Sequence, residues 1–267
     1  MDRLLVLRIE ASGCQAEAVF NGVPLVRVGG AQAVATVPVH EFTFLGANEV
    51  ELVVQPGPPA AAGTAPAPEP QLSDGKAWAS LRLLLPRVGS VAHPASARTL
   101  VQVDWAPPAD ELYEAPVSLK KSVELPISFP RWRWLDAPVI PDSPTLKKEV
   151  AAYLLDVAVG LARGNPEPLV QASRLRLEDL AQAYQRNLAD DVGRLRVHIQ
   201  QLHAAQPLKP TLPAPAKLLL RPVAGGRLLE CLSGDGSPLL QSPVAGGGNI
   251  AWPVRLAAID GRFYVLR

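Results

Sequence analysis

The stretch DSPTLKKEVAAYLLDVAVGLARGNPE, residues 142–167, decides the fold because it reads as a long, capped helix. Ser143 suits the N-cap, and Pro144 suits the first helical position, where no backbone N–H is needed. The run from Arg163 to Pro166 predicts the end of the helix, since it supplies a cation, a glycine and a proline. Apolar side chains between these signals recur three or four positions apart, which places them on one helix face: Leu146, Val150, Tyr153, Leu154, Val157 and Leu161.

Two further helices are predicted in the same block. Asn165 can cap a second helix, and a third is expected from Leu188 to His203. The prolines from Pro207 onward end the block. Glu178 and Asp179 are predicted to lie on a solvated helix face. The apolar stripes of the two helices are Leu169, Leu175, Leu177, Leu180 and Tyr184, and then Val192, Leu195, Ile199 and Leu202.

Segments on both sides of the helical block predict strands, because they alternate in polarity or end in turn signals. Asn21-Gly22 is a strong hairpin signal, since both residues tolerate positive φ, and Asp260-Gly261 predicts a second tight hairpin. Residues 45–48 are predicted to form a loop, and residues 117–135 an extended stretch. The predicted strands are 4–10, 16–20, 23–28, 33–39, 49–54, 78–85 and 100–105 before the block, and 216–221, 227–232, 238–241, 250–259 and 262–267 after it.

The order of these elements predicts an α+β protein of two domains. Residues 1–141 are expected to form an antiparallel, jelly-roll-like β-sandwich with a Pro/Ala-rich loop at residues 56–70. Residues 142–267 are expected to form an α+β domain, in which three helices precede a curved antiparallel sheet.

Composition narrows the function classes. The net charge is +1, so the field of the whole chain does not favour binding to nucleic acid or to a membrane. The N-terminal apolar run is too short for a signal peptide, and no run approaches the length of a membrane span. Cys14 and Cys231 are far apart and unpatterned, which indicates free thiols and a cytoplasmic location.

Two short motifs in the N-terminal half resemble the galactose-binding-like jelly rolls that accompany many bacterial glycosidases. Phe20-Asn21-Gly22-Val23-Pro24 resembles their strand-to-hairpin turn. The segment from Leu45 to Leu52 is similar to the entry into one of their late strands. The resemblance implies a β-sandwich, and it also raises the hypothesis of a carbohydrate-binding module.

The C-terminal half resembles the nuclear-transport-factor-two-like cone, which is also found in SnoaL-like polyketide cyclases. The motifs that carry this resemblance are residues 160–167, between the first two helices, and the ending from Ala258 to Leu266. Members of that fold share a cavity rather than a catalytic motif. The polar and aromatic residues that could line such a cavity are Tyr153, Asp156, Tyr184, Trp252 and Tyr264; alternatively, the tyrosines are core or rim residues with satisfied hydroxyls.

The segment Arg131-Trp132-Arg133-Trp134 has two interpretations. In an extended chain the arginines face one side and the tryptophans the other. This arrangement could form a stacking platform, with cations beside it, for a nucleic acid, a nucleotide or a sugar. The alternative is a partner surface or inter-domain seam, in which the tryptophans are buried and the arginines face solvent.

No catalytic, metal or cofactor site is predicted. His198 and His203 are five residues apart on a predicted helix, so they point away from each other and cannot chelate one ion. The glycine runs lack the Gly-Lys-Ser/Thr order of a phosphate loop. The sequence therefore favours a non-enzymatic bacterial adaptor or immunity-like protein that binds another protein or itself, as a homodimer. The alternatives are a small-molecule-binding protein or a cyclase/isomerase-type enzyme with a C-terminal cavity, and the carbohydrate-binding module.

Overall fold

A computed structural model describes residues 4–55, 69–87, 90–126 and 129–267. The chain divides into two compact units, with described residues up to Arg131 in the first and Trp132–Arg267 in the second. Residues 132–141, which were assigned above to the N-terminal domain, thus belong to the second unit. Most of the predicted Pro/Ala-rich loop lies outside the described residues, whereas Glu69 and Pro70 begin a strand.

The described part of the first unit contains ten strands and a short 3-10 helix, His40–Phe42. The strands form two four-stranded antiparallel sheets, of order β4-β1-β7-β8 and β10-β5-β2-β3, and a two-stranded ladder, β6-β9. The strands are β1 Val6–Ser12, β2 Ala16–Phe20, β3 Val23–Val28, β4 Val34–Pro38, β5 Gly46–Val54, β6 Glu69–Leu72, β7 Trp78–Leu85, β8 Arg98–Trp105, β9 Leu112–Ala115 and β10 Val117–Leu125.

Turn chemistry explains the β2–β3 hairpin. Asn21 and Gly22 have φ values of 50° and 74°, as the hairpin signal predicts. The predicted loop at residues 45–48 is wrong from Gly46 onward, because β5 already begins there and pairs with β10. Gly46 adopts a φ of 97°, and the buried Asn48 amide donates to the Phe44 carbonyl, so turn-forming residues are accommodated at the start of a strand.

The second unit contains α1 Arg133–Asp136, α2 Leu146–Ala162, α3 Glu167–Ala172, α4 Arg174–Ala183 and α5 Leu188–Ala205. The long helix α2 begins later than predicted, since its N-cap is Thr145 rather than Ser143. The second predicted helix is two helices that meet at Ser173, where the backbone leaves helical geometry at φ −98° and ψ 7°. This bend lets α3 and α4 each bury a separate set of apolar residues.

The prediction that residues 117–135 are extended throughout is also wrong. The strand β10 ends at Leu125, and Arg133 begins the single helical turn α1, which follows an extended Trp132. Arginine and tryptophan alternate over only four residues. Such a short alternation fits a strand, and it fits equally well an extended residue followed by a single helical turn. Burial still alternates as predicted, with Trp132 and Trp134 only 1% and 2% exposed and both arginines exposed.

The sheets of the second unit follow the helices. The main sheet has the order β11-β12-β15-β16, and β13 pairs with β14. The predicted strand 250–259 is interrupted at Pro253, because proline cannot donate to a ladder; β14 pairs with β13, and β15 with β12. The strands are β11 Leu218–Val223, β12 Leu228–Ser233, β13 Leu240–Pro243, β14 Asn249–Trp252, β15 Val254–Ile259 and β16 Arg262–Val265.

A buried carboxylate connects distant parts of the second unit. Asp179 on α4 is 3% exposed, so the prediction that it is solvated is wrong. It accepts hydrogen bonds from Arg133 on α1 at 2.8 Å and from the buried Arg267 at 3.2 Å. Burial raises the pKa of Asp179, and the two guanidinium groups oppose that shift. Its neighbour Glu178 pairs with Arg133 at 2.6 Å nearer the surface.

Helices and antiparallel sheets therefore occur together, as an α+β protein requires. The apolar face of α2 supplies much of the second unit's core, where Leu154, Leu161 and Ile199 are almost fully buried. Within the described residues, we find no helix with both the length and the apolar character that crossing a membrane demands.

Candidate functional site

A pocket of about 930 Å³ opens on the second unit. Its walls are one face of α2, the turn that leads to α3, α3 itself, the first residue of α4 and the strand β16. We call this the α2–β16 pocket. It falls within the size range of known small-molecule sites, and its lining mixes apolar, aromatic and charged side chains.

Close packing at the end of α2 shapes one wall. Gly160 lies where a Cβ atom would come within 2.8 Å of Pro168 Cγ and 3.0 Å of the Asn165 carbonyl oxygen. Gly164 takes the left-handed conformation, with φ 66°, which turns the chain directly back. Because residue 160 is a glycine, α3 can pack directly against the end of α2. The two helices form a corner at this point, and the pocket lies beside that corner.

The β15–β16 hairpin supplies the opposite wall. Its turn residues, Asp260 and Gly261, have φ values of 49° and 71°, which return the chain as β16. The Phe263 ring then lies against the Tyr153 ring from α2, with centroids 5.8 Å apart and an interplanar angle of 54°. This tilted aromatic pair joins the two walls.

The hydroxyl of Tyr153 is held in its neutral form. Burial, with a smaller contribution from Tyr264, raises the pKa of Tyr153 to about 12. A phenol of ordinary pKa, near 10, is already a hydrogen-bond donor at neutral pH, and the raised pKa of Tyr153 extends this protonated form to about pH 12. A ligand in the pocket would find a neutral donor here rather than a charge.

Charge in the pocket is predominantly positive. Arg163, Arg174 and Arg262 line it, whereas Asp156 is the acidic residue among the lining side chains. The Arg174 guanidinium lies 5.5 Å from the centre of the Tyr264 ring and donates to the Tyr264 hydroxyl at 3.4 Å. This contact holds the guanidinium over the aromatic face.

The structure brings together three of the five residues predicted to line a cavity. Tyr153, Asp156 and Tyr264 all line the α2–β16 pocket. Tyr184 instead follows the end of α4, where the Arg186 guanidinium lies 5.0 Å from its ring. Trp252 ends β14 and packs against the hydrophobic core. Ligand binding by any of them remains a prediction.

The lining side chains that sequence reasoning missed include all three arginines of the pocket and one aromatic residue: Arg163, Arg174, Arg262 and Phe263. Two of the arginines lie in segments that were noticed for their turns. The helix-ending run contains Arg163, and the residue after Asp260-Gly261 is Arg262. Each of these two arginines lies next to a turn, and this was the feature of the sequence that could have indicated a site. The two turns are far apart in sequence, however, and only the fold shows that they meet.

In the segment from Arg131 to Trp134, the tryptophan rings are buried and Arg133 is held by ion pairs. Both tryptophans are buried, so their rings do not present an exposed stacking surface. Arg133 is engaged with Glu178 and Asp179 and also donates to the Leu175 carbonyl at 3.1 Å. The seam interpretation of Arg131, Trp132, Arg133 and Trp134 remains a prediction.

The hairpin residues of the first unit have structural partners. The Asn21 amide donates to the Phe42 carbonyl at 2.8 Å and to the Asn48 side chain at 2.9 Å. Its oxygen accepts from the Glu49 N–H at 2.8 Å. These bonds attach the β2–β3 hairpin to β5. The Asn21-Gly22 motif therefore has a structural role in the sheet, and no ligand is needed to explain its arrangement.

The cysteines and the histidine pair show no reactive geometry. Burial raises the pKa of both Cys14 and Cys231, which disfavours the nucleophilic thiolate. His203 accepts from the Leu208 N–H at 3.3 Å and packs beside Gly164, while His198 is exposed. Across the described ranges, no cluster of three or more His, Cys, Asp or Glu residues is arranged to hold a metal ion.

Comparison with known proteins adds no family assignment, because no family model, curated protein or solved structure matches this chain.

Proposed function

We propose that this protein binds a small organic molecule in the α2–β16 pocket. The observation that carries the proposal is the convergence of Tyr153, Asp156 and Tyr264 on one concavity of about 930 Å³. Aromatic walls with a few polar groups are typical of such sites. Binding of a protein partner or of a second copy, which the sequence favoured, remains a prediction, as do the cyclase/isomerase and carbohydrate-binding alternatives.

Two inferences about the fold are consistent with ligand binding in this pocket. We infer that the first unit is a β-sandwich, because β5 of one sheet contacts β7 and β8 of the other, and β8 also contacts β10. We infer a cone-like second unit, because α2 contacts β11 and both α3 and α4 contact β16. In that arrangement the helices cover one face of the sheet, and the α2–β16 pocket lies at the edge where they meet β16.

A blocking substitution tests the proposal. Gln171 is exposed and lines the pocket, whereas Gln182 is exposed on α4 outside it. A metabolite panel is screened by thermal shift on the full chain, on Gln171→Trp and on Gln182→Trp. We expect a compound that raises the melting temperature of the wild type and of Gln182→Trp, because a bound ligand stabilises the folded state. The same compound should have no effect on Gln171→Trp, where the indole occupies the pocket.

Two results would count against this function. One is a panel in which no compound stabilises the wild type. The other is a compound that stabilises Gln171→Trp as strongly as Gln182→Trp, since it would then bind elsewhere.

A further inference from the structure

We propose that the ligand of the α2–β16 pocket is an organic anion, in which a carboxylate or phosphate is bound by Arg174 and Arg262 and a ring contacts Tyr153 and Phe263. This inference rests on the proposed function and specifies its ligand class. The chain as a whole has a net charge of only +1, so a positive pocket is a local property.

The first observation is that the pocket arginines lack carboxylate partners. Elsewhere in the second unit, arginines pair with acids, as Arg196 does with Glu167 at 2.6 Å and Arg255 with Glu230 at 2.8 Å. Within the part of the chain that the structure describes, the guanidinium groups of Arg163, Arg174 and Arg262 form no such ion pair. Their charges are therefore available to a ligand.

The second observation concerns Arg174. Its side chain contacts the ring and the hydroxyl of Tyr264, both neutral, at 5.5 Å and 3.4 Å. The contact orients the guanidinium. Glu178, one helical turn further along α4, interacts with its charge through space but forms its ion pair with Arg133. A planar guanidinium held in this way can bind a carboxylate or phosphate through two parallel hydrogen bonds. Arg262 lies two residues before Tyr264 on the same strand and so reaches the same region.

The third observation is the apolar part of the wall. Tyr153 and Phe263 form a tilted aromatic pair, and Val157 and Pro168 extend this surface. A ring system can stack or pack there while its acidic group reaches the arginines. Asp156 has no hydrogen bond or ion pair within the described residues; its negative charge would disfavour a second anionic group and accept a hydrogen bond from a ligand hydroxyl.

The test uses three probes with one ring and different charges: 2-naphthoate, 2-naphthamide and 2-naphthylmethylammonium. Their affinities for the full chain are measured by calorimetry in low salt. We expect naphthoate to bind about tenfold more tightly than the amide, with the ammonium weakest, because a charge-assisted hydrogen bond exceeds a neutral one. Added salt should reduce this preference.

Variants locate the effect. Arg174→Gln and Arg262→Gln should each remove most of the preference for naphthoate over naphthamide. Lys148→Gln removes one positive charge from the exposed side of α2, away from the pocket, and should leave the preference unchanged. Thermal denaturation confirms that each variant is folded before affinities are compared.

The outcomes separate this inference from the proposed function. Equal affinity for the three probes, blocked by Gln171→Trp, would retain the pocket but overturn an anionic ligand. A naphthoate preference that survives both arginine substitutions would also overturn it. Inorganic phosphate is added as a probe of the arginines alone, observed by NMR of their Nε–H groups. If no naphthalene binds and phosphate perturbs neither Arg174 nor Arg262, the anion inference fails, and the metabolite panel decides separately whether the pocket function stands.

Discussion

At the scale of single residues, Tyr153 is the side chain whose titration the pocket changes most clearly. Burial keeps its phenol protonated to about pH 12 in the folded protein, whereas an unfolded chain releases that proton near pH 10. The folded state therefore holds more protons than the unfolded state between these values. The stability contributed by this group is complete below about pH 10 and is lost as the pH rises through about 12.

Tyr153→Phe should remove this part of the pH dependence. We expect the free energy of unfolding of the wild type to fall more steeply between pH 10 and 11.5 than that of the variant. Urea denaturation at several pH values measures both slopes. Identical slopes for wild type and Tyr153→Phe would show that the phenol is not held neutral by its surroundings.

At the scale of elements, two helical glycines make opposite predictions. An alanine at position 160 would place its Cβ 2.8 Å from Pro168, so α3 would have to move away from α2. We expect Gly160→Ala to lower the free energy of unfolding by roughly 1–3 kcal/mol, the usual cost of overpacking. Gly193 on α5 has open space around it, and Gly193→Ala should raise stability by about 0.4–1 kcal/mol.

Chemical denaturation of the two variants checks this pair. Because both replace a helical glycine with alanine, helix propensity alone would stabilise both. A stable Gly160→Ala would therefore mean that the α2–α3 corner is not closely packed, and the wall of the pocket would need another explanation.

The same elements show what sequence reasoning could reach. Periodicity predicted α2 and α5, and the Asn21-Gly22 and Asp260-Gly261 signals predicted their hairpins, because these features depend on neighbouring residues. The break at Ser173 was missed because the leucine spacing continues across it, and the choice between one helix and two depends on where each apolar side packs. Pro253 was read inside a strand, although its missing N–H ends the pairing of β14.

The residues of the candidate site also fall into two groups, those whose proximity follows from local spacing and those brought together only by tertiary packing. Tyr153 and Asp156 share a helix face, so their proximity follows from local spacing. Arg174 and Tyr264 are ninety residues apart in sequence, and their contact depends on α4 packing against β16. No local pattern contains that information, which explains why the arginines of the pocket were missed.

At the scale of the whole molecule, the division at Trp132 can be tested with fragments. Residues 132–136 bring Arg133 to Asp179, and the following segment is tied down where Arg227 donates to the Ala137 carbonyl at 2.6 Å. A fragment 132–267 should fold and unfold cooperatively. A fragment 142–267 should be less stable by at least roughly 1.5–3 kcal/mol, since it lacks a charged hydrogen bond to a buried carboxylate and also the core side chain of Ile140.

Circular dichroism during urea titration compares the two fragments. The contact between Arg174 and Tyr264 is the internal control. Both fragments contain these two residues, and neither boundary is near them, so the contact should be the same in the two fragments. If both fragments have equal stability, residues 132–141 contribute nothing to the second unit. If neither folds, the division into two units does not describe independent folding.

The buried Asp179 also has a consequence for the order of events during synthesis. Its two cationic partners, Arg133 and Arg267, flank it at distant positions, one made well before α4 and the other long after it. While a ribosome is still adding β15 and β16, α4 exists without the guanidinium of Arg267, and burying a carboxylate with incomplete compensation is costly. We therefore expect the nascent helices to remain loosely associated until the β15–β16 hairpin emerges from the exit tunnel, and the second unit to acquire its native packing only after translation has passed that point.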